Sequence, residues 1–231
     1  LYIKYMKLIN FKNKKIFIAG KNGLLGSAIF RFFKNKESNS KLLTPTSKEL
    51  DLTNLVKTEK WFKKNKPDYV ILAAAKAAGI YDNMHSPTKY MIDNIKIQTN
   101  VITLCHKHNV KKLMFIGSSC IYPKFAKSPI KEDSLLTASL EETNQWYAIT
   151  KIHGVKCCEA YKKQFNSNFI SVMPTNLYGI NDKYDEKISH VIPALIKRFL
   201  LAKKNMKKTV EVWGTGNPKR EFLFADDCAS A

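Results

Sequence analysis

Lys15-Ile-Phe-Ile-Ala-Gly-Lys-Asn-Gly-Leu-Leu-Gly26 is the stretch whose reading decides the fold. Lys15 to Ala19 is an apolar run of strand length that stops at Gly20. From Gly26 to Phe33 the spacing becomes helical, with Ala28, Ile29, Phe32 and Phe33 on one face. Between them lies G-x-x-G-x-x-G. Glycine permits a tight turn and close backbone approach, and the helix N-terminus behind it favours an anion. Three glycines alone are weak evidence, because many strand-to-helix turns hold them. Strand before and helix after turn the pattern into a dinucleotide site, with Gly20, Lys21, Asn22, Gly23, Leu24, Leu25 and Gly26 around a pyrophosphate. An acidic partner for the adenine ribose is expected about 20 residues on, and Thr44 to Ser47 offers none. That leans away from strict NAD use. Asp51 and Leu52, slightly later, suit the adenine end.

Outward from this unit, strand and helix keep alternating. Leu42–Leu43, Tyr69–Ala74, Lys112–Ile116 and Phe169–Met173 read as strands, with helices over Leu55–Lys64, Ile92–His108 and Asn144–Phe165. The strands lack polar alternation, so both of their faces are expected to be covered. The fold class is therefore α/β, a doubly wound parallel Rossmann sheet. From about Asn181 the alternation loosens into a Pro- and Gly-punctuated segment. We divide the chain into a dinucleotide-binding domain, residues 14–179, and a partial, smaller C-terminal substrate region, residues 180–231.

Composition bounds the rest. The chain has 231 residues, 45% hydrophobic and 25% charged, which excludes a disordered tail or a disulfide miniprotein. Its longest apolar run, from Tyr69, stops at Lys76, far short of a membrane span. The five cysteines are odd in number and lack C-x-x-C spacing, as expected of reduced thiols in a cytoplasmic protein without metal. The net charge of +20 comes from scattered lysines; Arg31, Arg198 and Arg220 are the sole arginines. Nucleic-acid binders commonly cluster charge and use arginine forks, so a solvated lysine-rich surface is expected, with no nucleic-acid partner.

Tyr147-Ala-Ile-Thr-Lys151 is a Y-x-x-x-K inside a helix, which puts both side chains on one face. A phenol with a pKa near 10 needs a nearby cation to exchange protons at neutral pH, and Lys151 offers one. Alone, such a pair is usually surface packing. Here Gly117-Ser118-Ser119 also ends an intervening strand, at the sheet edge where ligands bind.

Together these features resemble the extended short-chain dehydrogenase/reductase superfamily. The resemblance narrows at Gly117-Ser-Ser-Cys-Ile-Tyr-Pro123, Met173-Pro-Thr-Asn-Leu-Tyr-Gly179, Ser189-His-Val-Ile-Pro-Ala194, Val212-Trp-Gly-Thr-Gly216 and Arg220-Glu-Phe222. That set is similar to the GDP-L-fucose synthase family, from about Lys14 to the last residue. The resemblance implies NADP(H) as cofactor and GDP-4-dehydro-6-deoxy-D-mannose as substrate, epimerised at C3 and C5 and reduced at C4 to GDP-L-fucose. It implies that Tyr147 protonates the C4 oxygen, aided by Ser118 and Lys151. Cys120 and His190 become the base and acid of the epimerisation; both titrate near neutrality. Cys120 as base rests on the resemblance alone. Lys151, Asn176, Leu177 and His190 complete the cofactor pocket, and Arg198, Trp213 and Arg220 hold the GDP moiety. The helices Ile92–His108 and Asn144–Phe165 are implied to pair in a homodimer.

The sequence departs from the family at the 2′-phosphate, where arginines are usual and Asn22 and Ser47 stand. Lys21 and Lys48 are neighbouring point charges, less specific than arginine. A nucleotide-sugar 4-epimerase or 4,6-dehydratase is a rival that Cys120 with His190 speaks against. A dinucleotide-binding chain without turnover is another, and a polyanion binder rests on charge alone. The start at Leu1, with Met6 close behind, and the unfinished helix at Ala225–Ala231 lead us to expect a fragment.

Overall fold

Alternate residues of Lys15–Ala19 (β1) feed two different cores, which is what a strand buried on both faces must do. Phe17 and Ala19 join one apolar cluster; Ile16 and Ile18 join the other. The computed structural model describes residues 11–36, 39–76, 85–185, 189–212, 214–217 and 219–231. Its main sheet adds Lys41–Leu43 (β2), Tyr69–Leu72 (β3), Lys112–Ile116 (β4) and Phe169–Val172 (β5), all parallel, in the order β2-β1-β3-β4-β5. The chain leaves β1 toward β2 on one side and returns to β3 on the other. This switch point opens a crevice beyond the carboxyl ends of β1 and β3.

Three helices, Leu55–Asn65 (α2), Pro87–Lys107 (α3) and Gln145–Phe165 (α4), cover the first face through Phe62, Val101, Leu104 and Val155. Leu24–Lys36 (α1) covers the other with Leu25, Ile29 and Phe33, joined there by Cys228 and Ala229 of Ala225–Ser230 (α6). A cavity of about 440 Å³ lies on this second face, lined mostly by apolar side chains of β1, β3, β4, α1 and α6. Local sequence sets the ends. Asn54 caps α2 by accepting the Lys57 N–H at 3.0 Å, and Lys66 closes it in a left-handed conformation. Pro87 opens α3, where its missing N–H costs nothing. Gly154 lets α4 press onto β4: a Cβ there would lie 2.3 Å from the Phe115 ring.

Beyond β5, Asn176–Tyr178 (β6) pairs in parallel with Phe222–Phe224 (β7), with Val191–Lys204 (α5) between them in sequence. Among the described residues no helix is long and apolar enough to cross a membrane.

Arg31 fastens α1 to α6. Its Nε donates to Asp226 Oδ1 at 2.8 Å and its Nη2 to Oδ2 at 2.7 Å, while Nη1 reaches Ser27 Oγ at 3.3 Å. The guanidinium holds the Asp226 carboxyl below its ordinary value. The stabilisation is therefore complete above the unfolded carboxylate pKa and is lost as pH falls through the folded one. With both side chains about three-tenths exposed, solvent screening limits the pair to about 1 kcal/mol. Asp226→Asn is expected to lower the melting temperature by about 2–4 °C at pH 7, with a smaller gap to wild type at pH 3, below the unfolded carboxylate value of about 3.9. Thermal melts at the two pH values check this.

Candidate functional site

At the switch point, Gly20 adopts φ +95°, and a Cβ on it would lie 2.7 Å from Ala74 N. The loop after β3 thus presses on the glycine turn so closely that no side chain fits. A Cβ on Gly26 would stand 2.0 Å from the Gly20 carbonyl, so α1 starts against the turn that precedes it. The Gly23 N–H donates to Gly20 O at 3.0 Å, and the Ser27 N–H to Gly23 O at 2.9 Å. This bare backbone cradle before a helix N-terminus fits a dinucleotide's pyrophosphate. A cleft of about 740 Å³ opens beside it, lined by Lys21, Asn22, Ser27, Phe30 and Arg31 with Ile180–Asp182 opposite.

Two buried asparagines of α3 hold the loops that border this crevice. Asn94 accepts the Lys76 N–H at 2.7 Å and donates back to Lys76 O at 2.9 Å, while Asp93 pairs with the Lys76 ammonium. Asn100 donates to Leu52 O at 2.8 Å. At the β2 end, Thr46 and Glu49 form a reciprocal capping box: the Thr46 N–H donates to Glu49 Oε2 at 2.7 Å and the Glu49 N–H to Thr46 Oγ1 at 3.4 Å. This one-turn box leaves Ser47 and Lys48 exposed at its tip. The Thr46 N–H and hydroxyl hold the Glu49 carboxyl below its ordinary value, with the Lys21 charge adding to them.

The second group gathers at the end of β4. Gly117 leads to Ser118, whose Oγ accepts the Cys120 N–H at 3.4 Å as the chain turns through Ser119–Ile121. From α4, the buried Lys151 donates its Nζ to Ile116 O at 2.6 Å and lies 5.5 Å over the Tyr147 ring. Burial lowers the Lys151 ammonium to about 8, against a smaller pull from the Cys120 charge. Burial and the same Cys120 charge push the Tyr147 phenol well above its ordinary value. Burial likewise raises the Cys120 thiol, opposed by Ser118 and the Lys151 charge. The fold therefore sets a neutral phenol, a readily deprotonated ammonium and a thiol around one strand end. Such a set can pass protons to and from a ligand held at the sheet edge.

The remaining residues singled out by sequence lie on the C-terminal elements. Asn176 donates to Glu221 O at 3.0 Å, and Leu177 packs on the second core. His190 stands exposed at the N-cap of α5, its carbonyl accepting the Ala194 N–H at 3.1 Å. Arg198 donates to Glu211 O at 3.4 Å, and the exposed Arg220 to Lys219 O at 2.7 Å. Trp213 lies outside the described residues. No described contact ties His190, Arg198 or Arg220 to the Tyr147 group. Sequence reading missed Asn94 and Asn100. An asparagine in a helix reads as a polar surface residue, and neither carries a further signal.

Residues 16–231 match the model of the NAD dependent epimerase/dehydratase family. The chain is 54% identical over 220 residues to GDP-L-fucose synthase 1 of Arabidopsis thaliana, covering 95% of this chain and 68% of that protein. Identity to the GDP-L-fucose synthase of Escherichia coli (strain K12) is 45% over 218 residues, covering 94% and 68%. Among solved structures, the GDP-L-fucose synthetase of Naegleria fowleri bound to NADP superposes with a TM-score of 0.87 at 30% identity, covering 96% of this chain and 72% of that one.

Proposed function

The chain belongs to the NAD dependent epimerase/dehydratase family, within its GDP-L-fucose synthase group, and from that premise we propose that it converts GDP-4-dehydro-6-deoxy-D-mannose to GDP-L-fucose. The observation that carries this reading is the convergence of Tyr147, Lys151, Ser118 and Cys120 at the end of β4.

Gly20 to Gly26 would hold the dinucleotide, with Lys151, Asn176, Leu177 and His190 around its nicotinamide end. Bound NADPH would supply the hydride for the sugar's C4 carbonyl. Lys48, exposed on the capped turn, and Lys21 support NADP(H) over NAD(H) as point charges for a 2′-phosphate. The C3 and C5 protons are acidic because each lies beside the C4 carbonyl. The Cys120 thiolate takes a proton from carbon, the C–H electrons pass into an enolate, and His190 returns a proton from the opposite face. Tyr147 then gives its proton to the C4 oxygen, with the Lys151 charge offsetting the phenolate that forms. Arg198, Trp213 and Arg220 would hold the GDP, a diphosphate matching arginine forks. On this reading residues 14–179 serve the dinucleotide and residues 180–231 the substrate. Exposed Ile92, Trp146 and Phe165 on α3 and α4 support pairing of these helices in a homodimer, and the five free cysteines fit a cytoplasmic setting.

The test is loss of NADPH absorbance when the chain meets GDP-4-dehydro-6-deoxy-D-mannose. Steady, substrate-dependent loss is expected; folded protein with no loss overturns the proposal. In the same assay run in deuterium oxide, Cys120→Ala is expected to abolish deuterium uptake at C3 and C5. Undiminished uptake removes Cys120 from the mechanism.

A further inference from the structure

Lys151 is 3% exposed, and among the described residues no carboxylate pairs with its ammonium. Burying a cation without a counter-ion is costly, so other groups must offset the lost hydration. One N–H is spent on Ile116 O at 2.6 Å. What remains is aromatic: Nζ lies 5.1 Å over the Phe115 ring and 5.5 Å over that of Tyr147. A ring face is the negative part of its quadrupole and attracts a cation within about 6 Å, more so where water is excluded. Phe115 is itself 1% exposed, in β4 one residue before Ile116. Its ring fits there because α4 carries a glycine three residues beyond Lys151, on the same side of the helix. A Cβ on Gly154 would lie 2.3, 2.5 and 2.8 Å from three atoms of that ring. The titratable groups facing the ammonium are Cys120, from the turn after β4, and Tyr147, from α4.

We infer that Phe115 is a positioning residue for Lys151, its ring face holding the ammonium beside Tyr147 at the end of β4. The inference rests on the proton transfer proposed above for Tyr147. In that step the phenol O–H bond breaks, its electrons stay on the phenolate oxygen and the proton goes to the sugar's C4 oxygen. The Lys151 charge has to be present at that moment and not already neutralised. A carboxylate would hold the cation but cancel its charge. A ring attracts the cation without a formal charge and without accepting an N–H in line, so the N–H groups not spent on Ile116 remain for the phenolate. Any apolar side chain of this size would fill the core here, and burial by itself favours the neutral amine. An aromatic one fills the same space and also favours the charged form.

The test uses the full chain with lysines isotope-labelled at Cε and followed by NMR against pH; the resonance lost in Lys151→Arg is that of Lys151. Its wild-type midpoint is expected near pH 8, well below an ordinary lysine. Trifluorinating the Phe115 ring nearly keeps its shape but withdraws electron density from the face. The midpoint is then expected to fall by about half a pH unit, and NADPH turnover at pH 9 to fall about threefold relative to that at pH 6. Phe115→Leu is expected to lower the midpoint at least as far. The direction separates the ring from mere packing, because a smaller apolar residue relieves burial and on that ground alone would raise the midpoint. The fluorinated ring reports even where Phe115→Leu fails to fold. An unmoved or raised midpoint in the fluorinated chain overturns the inference. The two readings fail separately. A lowered midpoint with no NADPH turnover by the wild type removes the proposed reaction and keeps the Phe115 contact, whereas an unmoved midpoint beside normal turnover removes only Phe115.

Discussion

Tyr147→Phe is expected to lower turnover about 10³-fold, in the range of a lost general acid, while NADPH affinity stays within about twofold. The substitution removes one oxygen from a phenol whose ring already rests beside the Lys151 ammonium, so packing is nearly preserved. On the proposed mechanism, what is lost is the proton for the C4 oxygen. Burial keeps that phenol protonated at neutral pH, and it gives up its proton only where a cation offsets the resulting charge. Lys151, lowered to about 8 by its own burial, is charged below that value and neutral above it. The wild-type rate is therefore expected to fall as pH rises through about 8. Single-turnover rates against pH, with binding followed by NADPH fluorescence, check both expectations. A variant that binds and turns over like wild type removes Tyr147 from the reaction.

Gly26→Ala carries the next largest effect. Its Cβ would stand 2.0 Å from the Gly20 carbonyl and 2.6 Å from the Gly20 carbonyl carbon, both backbone atoms. Nothing there can rotate away, so α1 must shift off the turn or the turn must open. A loss of about 3 kcal/mol is expected, or about 6–12 °C in melting temperature, with NADPH binding abolished. Gly23→Ala is the matched control, since its Cβ would meet nothing nearer than Gly20 O at 3.4 Å. That variant is expected to melt within about 2 °C of wild type. It should still bind NADPH about tenfold more weakly, because its methyl keeps the pyrophosphate off the backbone. Melting and NADPH titration of the pair separate fold from ligand approach. Equal loss of stability in both would show that the glycine turn is not the tight contact described.

The strands were legible because a strand buried on both faces must be apolar throughout. Lys15–Ala19 and Lys112–Ile116 have the same limits in sequence and in structure. Tyr69–Ala74 ends early, at Leu72, because the chain bends away to meet Gly20 and Asn94. The helix expected from Gly26 begins at Leu24, as the third glycine lies inside its first turn. The helix expected from Ile92 begins at Pro87; its first turn lacks the apolar spacing that would announce it, and a proline signals the start instead. Pairing of β6 with β7 was not legible, since two three-residue strands 46 positions apart carry no register of their own. At the site, Tyr147 and Lys151 could be paired by helical spacing, and their position beside Ile116 follows from the sheet edge. Cys120 could not be set beside Lys151 by spacing, because no periodicity links the two segments that meet there.

The Arg31–Asp226 fork also has a bearing on synthesis. Its two partners are 195 residues apart. At about 5–20 residues per second, Arg31 is added on the order of ten to forty seconds before Asp226. Once β3 to β5 have followed, Leu25, Ile29 and Phe33 can pack on the nascent sheet, but Cys228 and Ala229 have not arrived to finish the second core. The apolar face beneath α1 is thus the last part of this core to be closed. During translation it is the surface that a chaperone would find open longest.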